Sequence, residues 1–427
     1  MIKLKKIMAL GLSALMVTSL VGCGGTTNAT ENKKSDSSKG TEITFWNSFT
    51  GADGDMLVKM VDKFNKENKD GIKVKMDISS DFDSQLSTAF AAGEGPTMIL
   101  SSSAYRFTYG DYLQDVSDVF DKTDLDKTDF IQSYLDYCSD DDKTYFVPFQ
   151  VVGYYMYWNK DLFKQAGLDP ETPPANWDEW AKDAAKITDS SKNIYGSGIS
   201  YDYAYQIAHI MQRFGGLAVT DDNGKWKANF ENNAGYEKFL NMYKDMIEKG
   251  DTDSMVSAGQ VGITVGGPWV TAGLDTAGVD YGIGLIPQGD AGDMNSVEVI
   301  GFGITTAASD AEKEAAYKFI EWWNTQDKDG SSPALEWSLE NGFPAYTYSV
   351  QNNDEYKANK KLSAMSAANP EAPTDFIVDS NFPGINAVLS DVIPEMINSV
   401  AFGNSSVEDS LIKAQEATQK IVDKYNK

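Results

Sequence analysis

From residue 42 onward the apolar positions follow two periods in turn. In EITFWNSF (42–49), Ile43 and Phe45 fall on one side and Trp46 on the other, which predicts a strand running into a loop. Met56, Leu57, Met60, Val61 and Phe64 then recur at the spacing of a buried helical face. In IKVKMDIS (72–79), Ile72, Val74, Met76 and Ile78 alternate with Lys73, Lys75 and Asp77, a second strand. Two strands joined through a helix imply a parallel sheet with crossover helices. Later helices mark their own starts: Asn176 with Glu179, Ser309 with Glu312 and Ser405 with Glu408 have capping-box spacing. Apolar stripes follow, Ala316, Phe319, Ile320 and Trp323 in one case, Leu411, Ala414, Thr418, Ile421 and Tyr425 in another. Trp177, Trp180, Trp322 and Trp323 share that core spacing and are expected to be structural. VGITVGG (261–267) and YGIGLIP (281–287) read as buried strands between helices.

The first 40 residues follow neither period. Lys3, Lys5 and Lys6 precede an apolar run from Ile7 to Val21, and Gly22-Cys23 end it. That is the layout of a secretory signal, with a run shorter than the roughly 20 residues a spanning helix needs. Leu20-Val21-Gly22-Cys23 resembles the bacterial lipobox, which implies cleavage before Cys23 and acylation of that cysteine. Residues 1–22 are therefore expected to be a lipoprotein signal peptide. Residues 23–40, polar and without large apolar groups, are expected to form a tether that cannot bury enough surface to fold. The protein would then sit on the outer face of the cell membrane, held by lipid and not spanning it.

Without residues 1–22, 34 basic residues face 63 acidic ones, a net charge of −29. Such a surface repels nucleic acid and anionic headgroups. His209 is the only histidine, so histidine-rich metal sites and histidine-based acid–base catalysis lack raw material. Cys138, the only cysteine besides Cys23, has the character of a buried thiol. No metal site, cofactor or catalytic residue is expected. About 390 residues after the tether call for more than one core, and aromatic residues make up 12% of the chain, enough to supply ligand platforms as well as cores.

The stretch YFVPFQVVGYYMYWNKDLFKQAGLDPETPPANWDEWAKDAAKIT (145–188) resembles a hallmark of the extracellular solute-binding proteins that serve ATP-binding cassette sugar importers, the maltose-binding-like group. TVGGPW (264–269), YGIGLIP (281–287), VIGFGITTAAS (299–309) and NGFPAY (341–346) follow in the expected order, so the resemblance runs from Thr41 to the end. One departure is GEGPTM (93–98), where Thr97 replaces the acid usual in the family. The resemblance implies a non-enzymatic α/β protein with the two-lobed type II periplasmic-binding-protein fold, a hinge and an interlobe ligand cleft. Lobe one is expected at 41–148 plus 300–343 and lobe two at 149–299 plus 344–427. The implied partners are a carbohydrate, a neutral oligosaccharide by this reading, and the permease subunits of an importer, with the receptor itself a monomer.

A sugar presents flat C–H faces and a rim of hydroxyls, so its site needs aromatic platforms with short donors and acceptors. Trp269, after Gly266, Gly267 and Pro268, is the strongest platform candidate, because the resemblance implies an aromatic that stacks on sugar there, and Gly267 would let backbone approach the ligand. Trp46 and Asn47 end the first strand, where such sheets bind ligands. Tyr154 follows the first interlobe crossing, and Gln150 lies on it. Tyr105 and Arg106 follow the third strand, Asp81 opens a helix, Glu298 precedes the second crossing, and Tyr203 lies in a Tyr201, Tyr203, Tyr205 alternation that reads as strand or loop. Each also has a structural reading: core packing for Trp46, a hinge hydrogen bond for Gln150, a helix cap for Asp81, an ion pair for Arg106. Two other cargo or activity classes stand beside the sugar receptor. One is a receptor for a charged solute such as a phosphodiester or polyamine. The other is an exported glycoside hydrolase, which would use paired carboxyls about 5 to 9.5 Å apart.

Overall fold

The computed structural model describes residues 40–140, 142–200, 203–252, 258–291, 296–368, 375–376, 382–403 and 405–426. The signal, tether and Cys23 expectations and Tyr201 lie outside them.

Strand Glu42–Asn47 buries Ile43 and Phe45 completely, and helix Ala52–Glu67 covers them with Leu57, Met60, Val61 and Phe64. Strand Lys73–Ile78 returns parallel to the first, and strand Met98–Ser102 lies parallel on its other side. Here Thr97 explains the departure from the family pattern. It is buried, its N–H donates to Thr44 Oγ1 at 2.8 Å, and its hydroxyl accepts from the Thr44 N–H at 3.2 Å. It clamps the opening of the third strand to the first.

This parallel unit continues into a six-stranded sheet through strand Ser296–Ile304, antiparallel both to Met98–Ser102 and to the long strand Phe146–Gly153. A second sheet of four strands joins Tyr281–Gly284, Tyr155–Asn159, Val261–Gly266 and Tyr195–Ser197. Strand Phe146–Gly153 belongs to the first sheet and strand Tyr155–Asn159 to the second, so Tyr154 alone joins them. Each sheet has its own core. The first gathers Phe45, Phe149, Phe302, Phe319, Trp323 and Trp337, the second Trp158, Trp180, Phe214, Phe239 and Tyr243. The architecture is α/β and two-lobed.

The chain returns to the first sheet through strand Ser296–Ile304. Ala345, Tyr346, Val350 and Tyr356 all pack in the first core. Helix Lys360–Ala368 then puts Leu362 into that core, and Met365 and Ala368 against Tyr155 and Tyr157 of the second sheet. An apolar stripe gives a helix a buried face without saying which of two cores receives it.

Local signals held with small shifts. Ser309 and Glu312 form a reciprocal capping box, and Asn176 accepts from the Glu179 N–H. At the last helix the cap is Ser406, accepting from the Asp409 N–H at 3.0 Å, one residue beyond the Ser405–Glu408 pair. That helix ends at Val422, so Tyr425 lies outside the stripe, half exposed with its ring against Phe382. Among the described residues no helix is long and apolar enough to cross a membrane.

Candidate functional site

The central parallel strand Glu42–Asn47 and its neighbour Met98–Ser102 end side by side, with Asn47 opposite Leu100. Their carboxyl ends open onto a pocket of about 270 Å³, where open parallel sheets place ligands. From the first lobe come Ser48 and Phe49 after the first strand, Ser101 and Ser102 at the end of the third, and Phe82, Asp83 and Tyr105 from the two helices that follow the second and third strands. From the second lobe come Tyr205 and the segment around Phe382, Asn386 and Leu389, and Glu298 enters from strand Ser296–Ile304 of the first sheet.

The first wall is held tightly. Phe49 stacks on Trp337 at 5.9 Å and 14°, while Trp337 Nε1 donates to Gln150 Oε1 at 2.8 Å. Tyr105 lies over Phe82 at 6.3 Å and 25°, and its hydroxyl donates to the Asp83 carboxylate. Burial first, then the hydrogen bond with Asp83 and its charge, push the Tyr105 phenol well above its ordinary value. Ser101 Oγ is buried against the pocket and has no hydrogen-bond partner among the described residues.

Beside the pocket a run of aromatic rings extends from Tyr205, its one lining member, to Trp269. Strand Val261–Gly266 ends at Gly267-Pro268, and Trp269 opens helix Val270–Thr276 with 46% of its surface exposed. A Cβ on Gly267 would lie 2.2 Å from the Trp269 ring. The glycine therefore makes room for the indole that folds over it, a different reason from the backbone approach expected for it. Its carbonyl accepts from the Tyr157 hydroxyl at 2.9 Å. Trp269 meets Tyr154 edge-on at 5.8 Å and 87°, and Tyr154 stacks on His209 at 3.8 Å. The Tyr154 and Tyr203 hydroxyls share a hydrogen bond of 2.7 Å. Tyr203 then neighbours Tyr205, which lines the pocket. These tyrosines are not an alternating strand: helix Ala204–Gly215 begins between them and puts Tyr205 and His209 one turn apart. Burial, then the charge of Arg213, hold His209 neutral, with its value lowered to about 3.

Glu298 lies where the first wall and the aromatic run converge. Its charge acts on Tyr105 of the wall and on Tyr154, Tyr203 and Tyr205 of the run. Burial raises its carboxyl above the ordinary carboxylate range, and a hydrogen bond with Ser102 opposes that shift.

Of the residues singled out from sequence, the structure brings Tyr105 and Glu298 into the pocket, and Trp269, Tyr154 and Tyr203 into the aromatic run beside it. Gln150 is engaged by Trp337. Trp46 packs half-buried against the first core, and Asn47 is fully buried with its side-chain amide oxygen accepting from the Phe49 N–H. Arg106 donates to the Ser103 carbonyl and lies 4.0 Å over the Phe107 ring, with Cys138 and Asp140 as its electrostatic neighbours, and it is not a lining residue. Asp81 is exposed at the start of helix Phe82–Ala91 and caps it with no side-chain hydrogen bond. The lining acid there is Asp83, two residues later. Sequence reading missed Asp83, Phe49, Phe82, Ser101 and Tyr205. Helical phase could have found Asp83, since Asp81 and Asp83 point about 200° apart on a helix. Nothing in sequence marks Ser101. Cys138 is buried and free, its thiol pushed up to about 12 by burial. Among the described residues no group of three or more histidine, cysteine or acidic side chains is placed to hold a metal.

Similarity to known proteins agrees with this geometry. The chain is 25% identical over 424 residues to the sn-glycerol-3-phosphate-binding periplasmic protein of Shigella dysenteriae, covering 91% of this chain and 94% of that one. It is 26% identical over 318 residues to a putative binding protein of Brucella abortus, covering 68% of this chain and 72% of the relative. Among solved structures, the cyclic α-maltosyl-1,6-maltose binding protein of Arthrobacter globiformis superposes with a TM-score of 0.72 at 22% identity, over 90% of this chain and all of that one. A solute-binding protein of Thermotoga lettingae bound to α-D-tagatose gives 0.70 at 21% identity, over 90% of this chain and all of that one. The family model for bacterial extracellular solute-binding proteins matches residues 59–364, more than half of the chain, and the chain belongs to that family.

Proposed function

We propose that this protein is a carbohydrate receptor of an ATP-binding cassette importer, with no chemistry of its own. It captures sugar between its lobes and presents the closed form to separate permease subunits. The observation that carries the choice of cargo is the charge of the pocket. Asp83 and Glu298 line it with no lysine or arginine among the described lining residues. A phosphate needs cations or free helix N-termini, and two carboxyls repel it, so a glycerol phosphate cargo like that named for the Shigella relative is disfavoured. Aromatic faces beside serine and asparagine groups suit sugar C–H faces and hydroxyls.

The lobes we assign are about 41–153 with 296–362, and 154–291 with 365–427, the crossings lying at Tyr154, before Ser296 and within helix Lys360–Ala368. Ligand contacts made by both lobes favour closure, because only contacts that differ between states shift their balance. Calorimetry against mono- and oligosaccharides and against sn-glycerol-3-phosphate tests the reading. A saccharide binds and compacts the molecule in small-angle scattering, while the phosphate does not bind. Phosphate binding without sugar binding overturns it, and release of reducing sugar from any tested oligosaccharide would revive the hydrolase.

The receptor works as a monomer tethered by acylated Cys23. Cys23→Ser is expected to release binding-competent protein into the medium. A variant that stays cell-associated defeats the anchor.

A further inference from the structure

A neutral sugar leaves the charge of this pocket unanswered. Asp83 and Glu298 come from different parts of the fold, one from the helix after the second strand and one from strand Ser296–Ile304 of the first sheet, yet both act electrostatically on the phenols of Tyr105 and Tyr205. Burial already raises the Glu298 carboxyl, and closing the lobes over an uncharged ligand would take the exposed Asp83 carboxylate out of water beside it with no counter-charge, which is costly unless the two are paired. Tyr105 occupies part of the Asp83 carboxylate and Ser102 part of Glu298, leaving further lone pairs on each. A second observation points to a ligand in the same place. Ser101, 8% exposed, lines the pocket with its hydroxyl unpartnered among the described residues. A buried hydroxyl of this kind is normally satisfied.

We infer that the receptor selects a saccharide bearing a protonated primary amine, an amino sugar, with the ammonium held between Asp83 and Glu298 and a ring hydroxyl met by Ser101. This rests on the carbohydrate reading and narrows it. An ammonium supplies the missing charge and several donors, and the faces of Tyr105 and Tyr205 add attraction for a cation. A polyamine supplies the charge but no hydroxyls, and it would leave Ser101, Ser48 and Asn386 with nothing to bind.

The test is calorimetric titration of the purified protein with glucosamine, galactosamine, mannosamine and the disaccharide of glucosamine. Each is compared with its N-acetylated form, which keeps the ring and deletes the charge, with the parent neutral sugar, and with spermidine. At least one amine is expected to bind about 10-fold to 100-fold more tightly than its neutral parent and its acetylated form, the range of charge-assisted hydrogen bonds. Glu298→Gln and, independently, Asp83→Asn should collapse that ratio toward unity. Both are near-isosteric, and circular dichroism checks their folding, so a misfolded variant leaves the other and the wild-type ratios to decide. Neutral or acetylated sugars binding as well as the amines would overturn the amine inference and leave the carbohydrate receptor standing. Spermidine binding with no saccharide bound, or no saccharide bound at all, would defeat the carbohydrate reading and this inference together.

Discussion

The pocket wall on the first sheet and the aromatic run beside the pocket are built on opposite principles. The first is polar and anchored: Tyr105 is tied to Asp83, Phe49 is stacked on Trp337, and Trp337 is bonded to Gln150 on a strand with every residue buried. The second is a chain of aromatic rings in which each touches the next, ending in an indole with nearly half its surface free. The difference assigns different work to them. The first wall can fix the orientation and charge of a ligand, because its hydrogen-bonding groups sit on strand ends and short helices that cannot rearrange cheaply. The second offers area without direction, which suits a sugar face whose exact rotation matters less.

The comparison breaks most visibly at Trp269. The indole is exposed and touches the aromatic run through Tyr154, so Trp269→Ala is expected to remove a platform while leaving both cores packed. Loss of a central aromatic anchor costs about 2 to 4 kcal/mol, or about 30-fold to 1,000-fold in affinity. Titration of the variant should show that loss beside a melting temperature close to wild type. Normal affinity beside strongly lowered melting would make Trp269 a structural residue and end the contrast between the wall and the run.

A smaller effect separates the support of the aromatic run from its surface. His209 lies under Tyr154 and is held neutral, its value lowered from 6.5 to about 3 by burial and then by Arg213. The unfolded chain takes up a proton near pH 6.5 and the folded one refuses it until about pH 3, so this site lowers stability as pH falls through that window and has no such effect above it. At pH 5 the loss is about 2 kcal/mol, from about 1.4 kcal/mol per pH unit. His209→Phe keeps a ring beneath Tyr154 and cannot titrate. Its denaturation midpoint should therefore fall less than that of wild type between pH 7 and pH 5, and equal falls would show that His209 is not kept neutral.

Legibility followed the range of the interactions. Ile43, Phe45 and the 56–64 stripe were readable because a strand or helix declares its buried face within a few residues, and the Ser309 cap because its partner is three residues away. The family resemblance carried the two-lobed fold. Tyr105 and Glu298 were also readable as candidates, each following or preceding a recognisable strand. Asp83 was not separated from Asp81, because the phase of a helix depends on where it starts, and the start lay one residue past the marked acid. Arg106 looked like a ligand contact by position, yet its guanidinium is turned to the Ser103 carbonyl and the Phe107 ring, a choice made by packing.

By itself the sequence determined the first strands and the helix between them, two of the three helix caps it marked, the acidic balance of the surface and, through its motifs, the family. All of these depend on residue types at short fixed spacings, where periodicity and backbone hydrogen bonding leave few alternatives. Only the tertiary structure decided that helix Lys360–Ala368 packs Leu362 in the first core and Met365 and Ala368 against Tyr155 and Tyr157, that Gly267 exists for the Trp269 ring, and that Asp83 and Glu298, more than 200 residues apart, share one pocket with the Ser101 hydroxyl, unpartnered among the described residues. Those facts are juxtapositions of distant segments. Nothing in either segment encodes the other, and they come into being only when two sheets and the strands between them pack into one body.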